Sequence, residues 1–142
     1  MMYNDIIGYA NYYANREIRI LVCGSRDFNK GDYTEVQVHA KLDAIRNSYL
    51  GQRYVTLVQG WGDGVDLAAA GWAESRCIPF FSFPAEWKKY YKLAGPFRNE
   101  LMLTIGKPDI VVAFPGGNGT KDMKTRAERR GIEIIEIEFE PT

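Results

Sequence analysis

Three glycines and a threonine fall within six residues at Pro115-Gly116-Gly117-Asn118-Gly119-Thr120. The run follows an apolar, strand-like stretch and opens a helix-like one. Glycines there permit positive φ and let the backbone come close to a ligand. N–H groups at the start of a helix lack intrahelical acceptors and lie at the positive end of its dipole, so they favour a phosphate. Thr120 adds a hydroxyl donor or caps the helix. The run is neither GxxxxGK[ST] nor GxGxxG, so neither P-loop ATPase chemistry nor the standard dinucleotide fingerprint is expected. The plain alternative is a tight turn with no ligand.

Three other stretches carry polar groups suited to the same kind of ligand. In Gly24-Ser25-Arg26-Asp27, the Ser25 hydroxyl and backbone N–H groups can bind phosphate, and Arg26 can grip it as a bidentate fork or pair with a surface carboxylate. Gly60-Trp61-Gly62-Asp63-Gly64-Val65-Asp66 offers N–H donors, that of Gly62 among them. Asp66 falls in a first helical turn, where a carboxylate suits the dipole; a ribose hydroxyl contact is the sharper reading. Trp61 either stacks on a base or packs its loop. In Gly95-Pro96-Phe97-Arg98-Asn99, Arg98 and Asn99 either reach a pocket mouth or sit on a solvated helix face. The stretch Phe83-Pro84-Ala85-Glu86-Trp87 could cover such a pocket as a lid.

Other chemistry has little material. His39 is the only histidine and falls in an amphipathic helical pattern, where a packed or surface role is expected. No Ser-His-Asp or Cys-His set is present, and two cysteines with one histidine make no metal cluster, so neither a metal nor a cofactor is expected. Cys23 and Cys77 are too few for a disulfide framework and read as buried, reduced thiols. Lys88, Lys89 and Lys92 with Tyr90 and Tyr91 form the one basic–aromatic cluster, the sole pointer to single-stranded DNA; nucleic acid is not the expected partner.

The elements that must position these residues alternate. Residues 18–22, 54–59, 78–83, 109–114 and 132–137 are β-branched or apolar runs that read as strands. Pro79 marks the beginning or edge of the third. Apolar spacing at Val38, Leu42, Ile45 and Tyr49 predicts a helix over 34–50, with Thr34 as N-cap. Val65, Ala68, Ala69, Trp72 and Ala73 mark a second. Residues 84–95 read as a loop with one helical turn. Pro96 suits the first position of a helix whose inner face is Phe97, Leu101 and Ile105. Residues 120–130 form the last helix, with Gly131 as its C-cap. The alternating Ile and Glu of 132–137 predict an edge strand with one wet face. Residues 1–17, with four tyrosines, form an N-terminal arm or short helix outside a domain spanning 18–142.

Alternation of strand and helix predicts an α/β fold: a Rossmann-like, three-layer α/β/α domain with a mainly parallel five-stranded sheet of order 3-2-1-4-5. Ligands in such sheets bind beyond the strands' carboxyl ends, where strand order switches. That point lies between strands one and four, both of which end in glycine-containing loops. A length of 142 residues, 46% hydrophobic and 25% charged, fits one globular domain. The formal net charge of zero argues against duplex binding, which draws on a basic excess. No apolar run approaches the roughly 20 residues that span a bilayer, and the N-terminus has no signal-peptide pattern. A cytoplasmic protein without a membrane partner is expected.

Gly24-Ser25-Arg26, Gly64-Val65-Asp66, Phe83-Pro84-Ala85-x-Trp87, Ala94-Gly95-Pro96-x-Arg98-Asn99 and Phe114-Pro115-Gly116-Gly117-x-Gly119-Thr120 occur in that order. Over residues 18–137 this resembles the SLOG superfamily, in its small bacterial and phage-borne branch related to YpsA. The resemblance implies a nucleotide or nucleotide-derived ligand. Relatives include the LONELY GUY phosphoribohydrolases, sensors of nucleotide signals in antiviral systems, and the single-stranded-DNA-binding DNA-processing protein A family. In the phosphoribohydrolases the loop reads PGGxGTxxE, with a catalytic glutamate and a preceding arginine. Arg98 matches the arginine, but Met123 stands at the glutamate's position. Asp122 is one residue earlier, turned about 100° around a helix.

The resulting expectation is a binding protein for a nucleotide-type ligand, sensing or sequestering it, in a phage–host setting if the resemblance extends that far. Gly24, Ser25, Gly116, Gly117, Gly119 and Thr120 hold phosphate, Arg26 and Arg98 neutralise it, Gly62, Asn99 and Pro115 line the site, and Asp66 meets ribose. The alternative is a nucleoside-monophosphate N-glycosidase with an altered acid, for which Asp66 and Arg98 are the catalytic candidates and Asp63 and Glu100 further substitutes. A homodimer is compatible with the tyrosine-rich arm.

Overall fold

A computed structural model describes residues 16–28, 33–50 and 53–139, with the side chains of 49 and 50 excepted. The expected arm or short helix over 1–17 therefore lies outside the described residues, except for Arg16 and Glu17. The chain runs β1 (Glu17–Cys23), α1 (Glu35–Leu50), β2 (Tyr54–Gln59), α2 (Val65–Ser75), β3 (Phe80–Ser82), α3 (Trp87–Tyr90), a 3₁₀ turn (Tyr91–Leu93), α4 (Ala94–Thr104), β4 (Ile110–Ala113), α5 (Asn118–Arg129) and β5 (Glu133–Glu136). The sheet order is β3-β2-β1-β4-β5, and every pairing is parallel. This is the expected Rossmann-like order, with β1 and β4 neighbours at its centre.

The strands separate two cores because successive side chains face opposite ways. Ile18, Ile20 and Val22 of β1 join Val38 and Leu42 of α1 and Ala69 and Trp72 of α2 on one side. Leu21 and Cys23 join Met102 and Leu103 of α4 and Met123 and Ala127 of α5 on the other. Burial on both faces explains why the central strands read as continuous apolar runs. At the edge, β5 keeps its glutamates exposed and its isoleucines half-buried.

Local chemistry sets the helix ends. Thr34 and Gln37 form a reciprocal capping box: Gln37 Oε1 accepts from Thr34 N–H at 2.8 Å, and Thr34 Oγ1 accepts from Gln37 N–H at 3.3 Å. After α5, Gly131 takes φ +69°, and the Gly131 and Ile132 N–H groups close back on Glu128 and Ala127. His39 is a packed helix residue, its Nε2 2.9 Å from the Ala68 carbonyl of α2.

Several expectations are corrected. α4 begins at Ala94, so Pro96 is its third residue, still within the turn whose N–H groups need no helical partner. Phe97, Leu101 and Ile105 face solvent, at 45%, 46% and 61% exposure. The buried face is Ala94, Gly95, Arg98, Asn99, Met102 and Leu103; the period was helical but its phase was set by two polar residues. β3 is shorter than residues 78–83, because Pro79 brings only its carbonyl, which accepts from Leu57 N–H at 3.0 Å. Cys23 is buried as expected, but Cys77 is exposed, at a left-handed φ of +55° just beyond α2.

Candidate functional site

The loops after β1, β2 and β4 meet at the carboxyl edge of the sheet. Ser25 N–H donates to Pro115 O at 3.0 Å, and Val65 N–H donates to Ser25 O at 3.0 Å. Tyr33 completes the junction: its hydroxyl donates to Pro115 O at 2.6 Å and lies 3.4 Å from Ser25 N. The approach leaves no room for side chains. A Cβ on Gly24 would come 2.7 Å from Val65 Cγ2 and 2.8 Å from Phe114 Cβ; one on Gly116 would come 2.9 Å from Gly24 C.

Beside this junction lies a cavity of about 580 Å³. Every residue expected in the site lines it except Gly62. Gly62 is turned inward, its N–H donating to Asp66 Oδ2 at 3.0 Å. Cys23, Asp27, Met102 and Asn118 also line the cavity. Asn118 and Asp27 sat inside the glycine motifs; Met102 was findable only by phasing α4 from Arg98 and Asn99. Tyr33 left no sequence signal, since its partner is 82 positions away.

The far wall is residues 115–120 and the start of α5. The Lys121 N–H reaches Gly117 O at 3.1 Å, so the N–H groups of 118–120 precede the first intrahelical bond. Gly117 is the N-cap, with no side chain capping it. A Cβ on Gly117 or Gly119 meets nothing within 4 Å. The expected positive φ is not used in this loop: among described glycines only Gly64 and Gly131 have it. The Thr120 side chain is buried and accepts or donates no hydrogen bond among the described residues.

Around this wall the polar groups divide into braces and available donors. Asn99 is a brace: its amide donates to Gly119 O at 3.2 Å and to Asp122 Oδ2 at 2.9 Å, and its oxygen accepts from Arg98 Nε at 3.0 Å. Arg98, 9% exposed, also donates from Nη1 to Gly60 O at 2.7 Å. Ser25, expected as a phosphate donor, has its hydroxyl engaged with Asp27 O at 2.9 Å. Arg26 is exposed and stacks 4.8 Å from the Trp87 ring centroid. The segment ending at Trp87 thus flanks the pocket through Arg26.

Among the described residues two carboxylates line the cavity, Asp27 and Asp66. Burial pushes the Asp66 carboxyl up to about 6, against the pull of the Gly62 N–H and the Arg98 and Arg26 charges. Burial lowers Arg98 for the same reason, offset by Asp66, and pushes Cys23 up to about 12, which leaves its thiol inert. The other candidate acids are elsewhere. Glu100 bonds Arg126 at 2.7 Å and also Arg130, and Asp122 bonds Arg126 at 2.8 Å. Asp63 is exposed outside the cavity lining. Met123 is wholly buried in the second core. Lys88, Lys89 and Lys92 are exposed and line no part of the cavity. Among the described residues no His/Cys/Asp/Glu group can hold a metal, and no helix is long and apolar enough to cross a membrane.

Fold and site together define a Rossmann-like α/β domain with a polar pocket at the switch in strand order. The YspA, cpYpsA-related SLOG family matches residues 18–90, and the chain belongs to that family. The match takes in the loops after β1 and β2 and Trp87, and ends before Arg98 and the loop after β4. Membership is consistent with a nucleotide-related small ligand. No curated protein and no solved structure matches the chain.

Proposed function

We propose that the chain binds a nucleotide-type small molecule, sensing or sequestering it, with the ligand's phosphate resting on residues 116–120. One observation carries this reading: the start of α5 is open where it faces the cavity, uncapped at Gly117 and unobstructed at Gly117 and Gly119. Backbone N–H groups of 118–120, the Thr120 hydroxyl and the helix dipole are the donors a phosphate takes. Arg98 balances its charge. Asp66 accepts from a ribose hydroxyl. Thermal unfolding across a panel of nucleoside mono- and diphosphates tests the reading, because a ligand that binds only the folded state raises the midpoint with concentration. Stabilisation lost in Gly117→Val supports it; a wild type that no member of the panel stabilises refutes it. Mass spectrometry of small molecules retained through purification names the ligand.

A second reading is favoured by Asp66. A pocket carboxyl raised to about 6 can protonate a leaving base, as N-glycosidic cleavage requires. Incubation with nucleoside monophosphates decides between the readings: free base released by the wild type and not by Asp66→Asn makes the chain a hydrolase, and no release leaves it a binder.

A further inference from the structure

Arg26 is turned away from the phosphate cradle. The loop after β1 is central in the sheet order, with the loop after β4 on one side and those after β2 and β3 on the other. Its first half leans toward β4, through Ser25 N–H on Pro115 O at 3.0 Å. Arg26 leans the opposite way. Its guanidinium lies 4.8 Å from the ring centroid of Trp87, in the segment after β3. Its Nε is 3.9 Å from where a Cβ on Gly62 would stand, in the loop after β2.

Arg26 also forms no hydrogen bond or ion pair with any described residue, although it lines the cavity. Arg98 differs: Nε and Nη1 are engaged with Asn99 and Gly60. An aromatic face beneath a guanidinium fixes its plane and leaves its N–H edge free for a bidentate acceptor. Trp87 is therefore placed to hold Arg26 ready for an anion.

We propose that the pocket receives two separate anionic groups of one ligand, the first on the cradle of residues 116–120 and the second at the mouth on Arg26, held by Trp87. The inference rests on the phosphate-cradle reading and narrows its ligand class: a nucleotide with a second phosphate, on the same chain or on another ribose carbon. A cavity of about 580 Å³ is ample for such a molecule. Arg26 contacts the ligand; Trp87 is a positioning residue acting through Arg26.

The test is calorimetric titration with inorganic phosphate, nucleoside 5′-monophosphates, 5′-diphosphates and 3′,5′-bisphosphates. A charge-assisted pair at Arg26 makes one two-phosphate ligand bind the wild type about ten-fold more tightly than the matching monophosphate. Arg26→Ala and Trp87→Ala each cut that preference to about two-fold or less, and leave monophosphate affinity within about two-fold. Trp87→Phe restores most of the preference, which a merely structural role would not produce. Both side chains are exposed, and unchanged thermal unfolding of the free variants confirms that each folds. Equal wild-type binding of mono- and two-phosphate ligands overturns the inference and leaves the cradle standing. So does an equal loss of both in Arg26→Ala, which would place Arg26 on the cradle phosphate itself. A wild type that binds none of the probes overturns the cradle reading and this inference together.

Discussion

Asp66→Asn should stabilise the free protein at neutral pH. In the fold this carboxyl rises from an ordinary 3.8 to about 6 because burial disfavours its charge. The folded state therefore holds the Asp66 proton more tightly than the unfolded chain does. Well below pH 4 the group is neutral in both states and costs nothing. Between about 4 and 6 the unfolded chain ionises first, so wild-type stability falls as pH rises. Above 6 the penalty is complete and constant. At about 1.4 kcal/mol per pH unit, the gap amounts to roughly 3 kcal/mol at most. Asparagine keeps an oxygen for the Gly62 N–H, which now lies 3.0 Å from Asp66 Oδ2, and removes the charge. Asp66 is only partly buried, and solvent screening reduces the gain to about 1–3 kcal/mol.

For a chain of this size, 1 kcal/mol moves the melting midpoint by about 3 °C. Urea and thermal unfolding of the two proteins at pH 4, 5, 6 and 7.5 should give curves within about 2 °C of each other at the lowest pH. They should separate progressively to about 3–9 °C at the highest. An offset that is absent at pH 7.5, or one that persists undiminished at pH 4, would refute the argument that Asp66 is an ionised group held at a cost.

The remaining predictions concern packing at and below the site. Gly117→Val should unfold within about 0.5 kcal/mol of wild type, since its Cβ meets nothing, while Gly24→Val, clashing with Val65 and Phe114, should lose about 2 kcal/mol or more in urea titration. Leu103→Ala should cost about 2–5 kcal/mol and Leu101→Ala under about 1, because only the first is buried; reversed values would restore the expected phase of α4. Met123→Glu should cost roughly 3–5 kcal/mol by chemical denaturation, as an unpaired carboxylate in an apolar core. It should release no base from nucleoside monophosphates.

The sheet was legible because its three central strands are buried on both faces and so stand out as apolar runs between glycine loops. The order 3-2-1-4-5 is one that alternating strands and helices commonly take, and it sets two of those loops side by side at the switch point. The phase of α4 was not legible. Leu101 and Ile105 look like a core stripe, and only the carbonyl of Gly60 and the helix start at Gly119, both distant in sequence, give Arg98 and Asn99 a reason to be inside. The site residues were legible by type, but not by role. Nothing in Gly24-Ser25-Arg26 distinguishes a serine whose hydroxyl closes its own turn from one that binds phosphate. Tyr33 was invisible for the same reason as Asn99's bracing contacts: each depends on a partner chosen by the fold.

The position of Met123 shows how the loop and its chemistry can be separated. It lies three residues after Thr120, hence on the same side of α5 and one turn deeper. Thr120 lines the cavity, and Met123 is packed in the core that also contains Met102, a cavity-lining residue. Met102 thus puts a thioether against the cavity, and the position one turn below Thr120 is occupied by a core side chain rather than a carboxylate. Of the two carboxylates that line the cavity, Asp27 belongs to the loop after β1, and Asp66, in the first turn of α2, is fixed by Gly62 and shadowed by Arg98. On the proposed reading, with the phosphate on the loop after β4, proton transfer from Asp66 would occur on the β2 side of the ligand. That arrangement permits base release only if the glycosidic bond spans the loop after β1. If it does not, the same geometry holds the ligand intact, as a sensor requires.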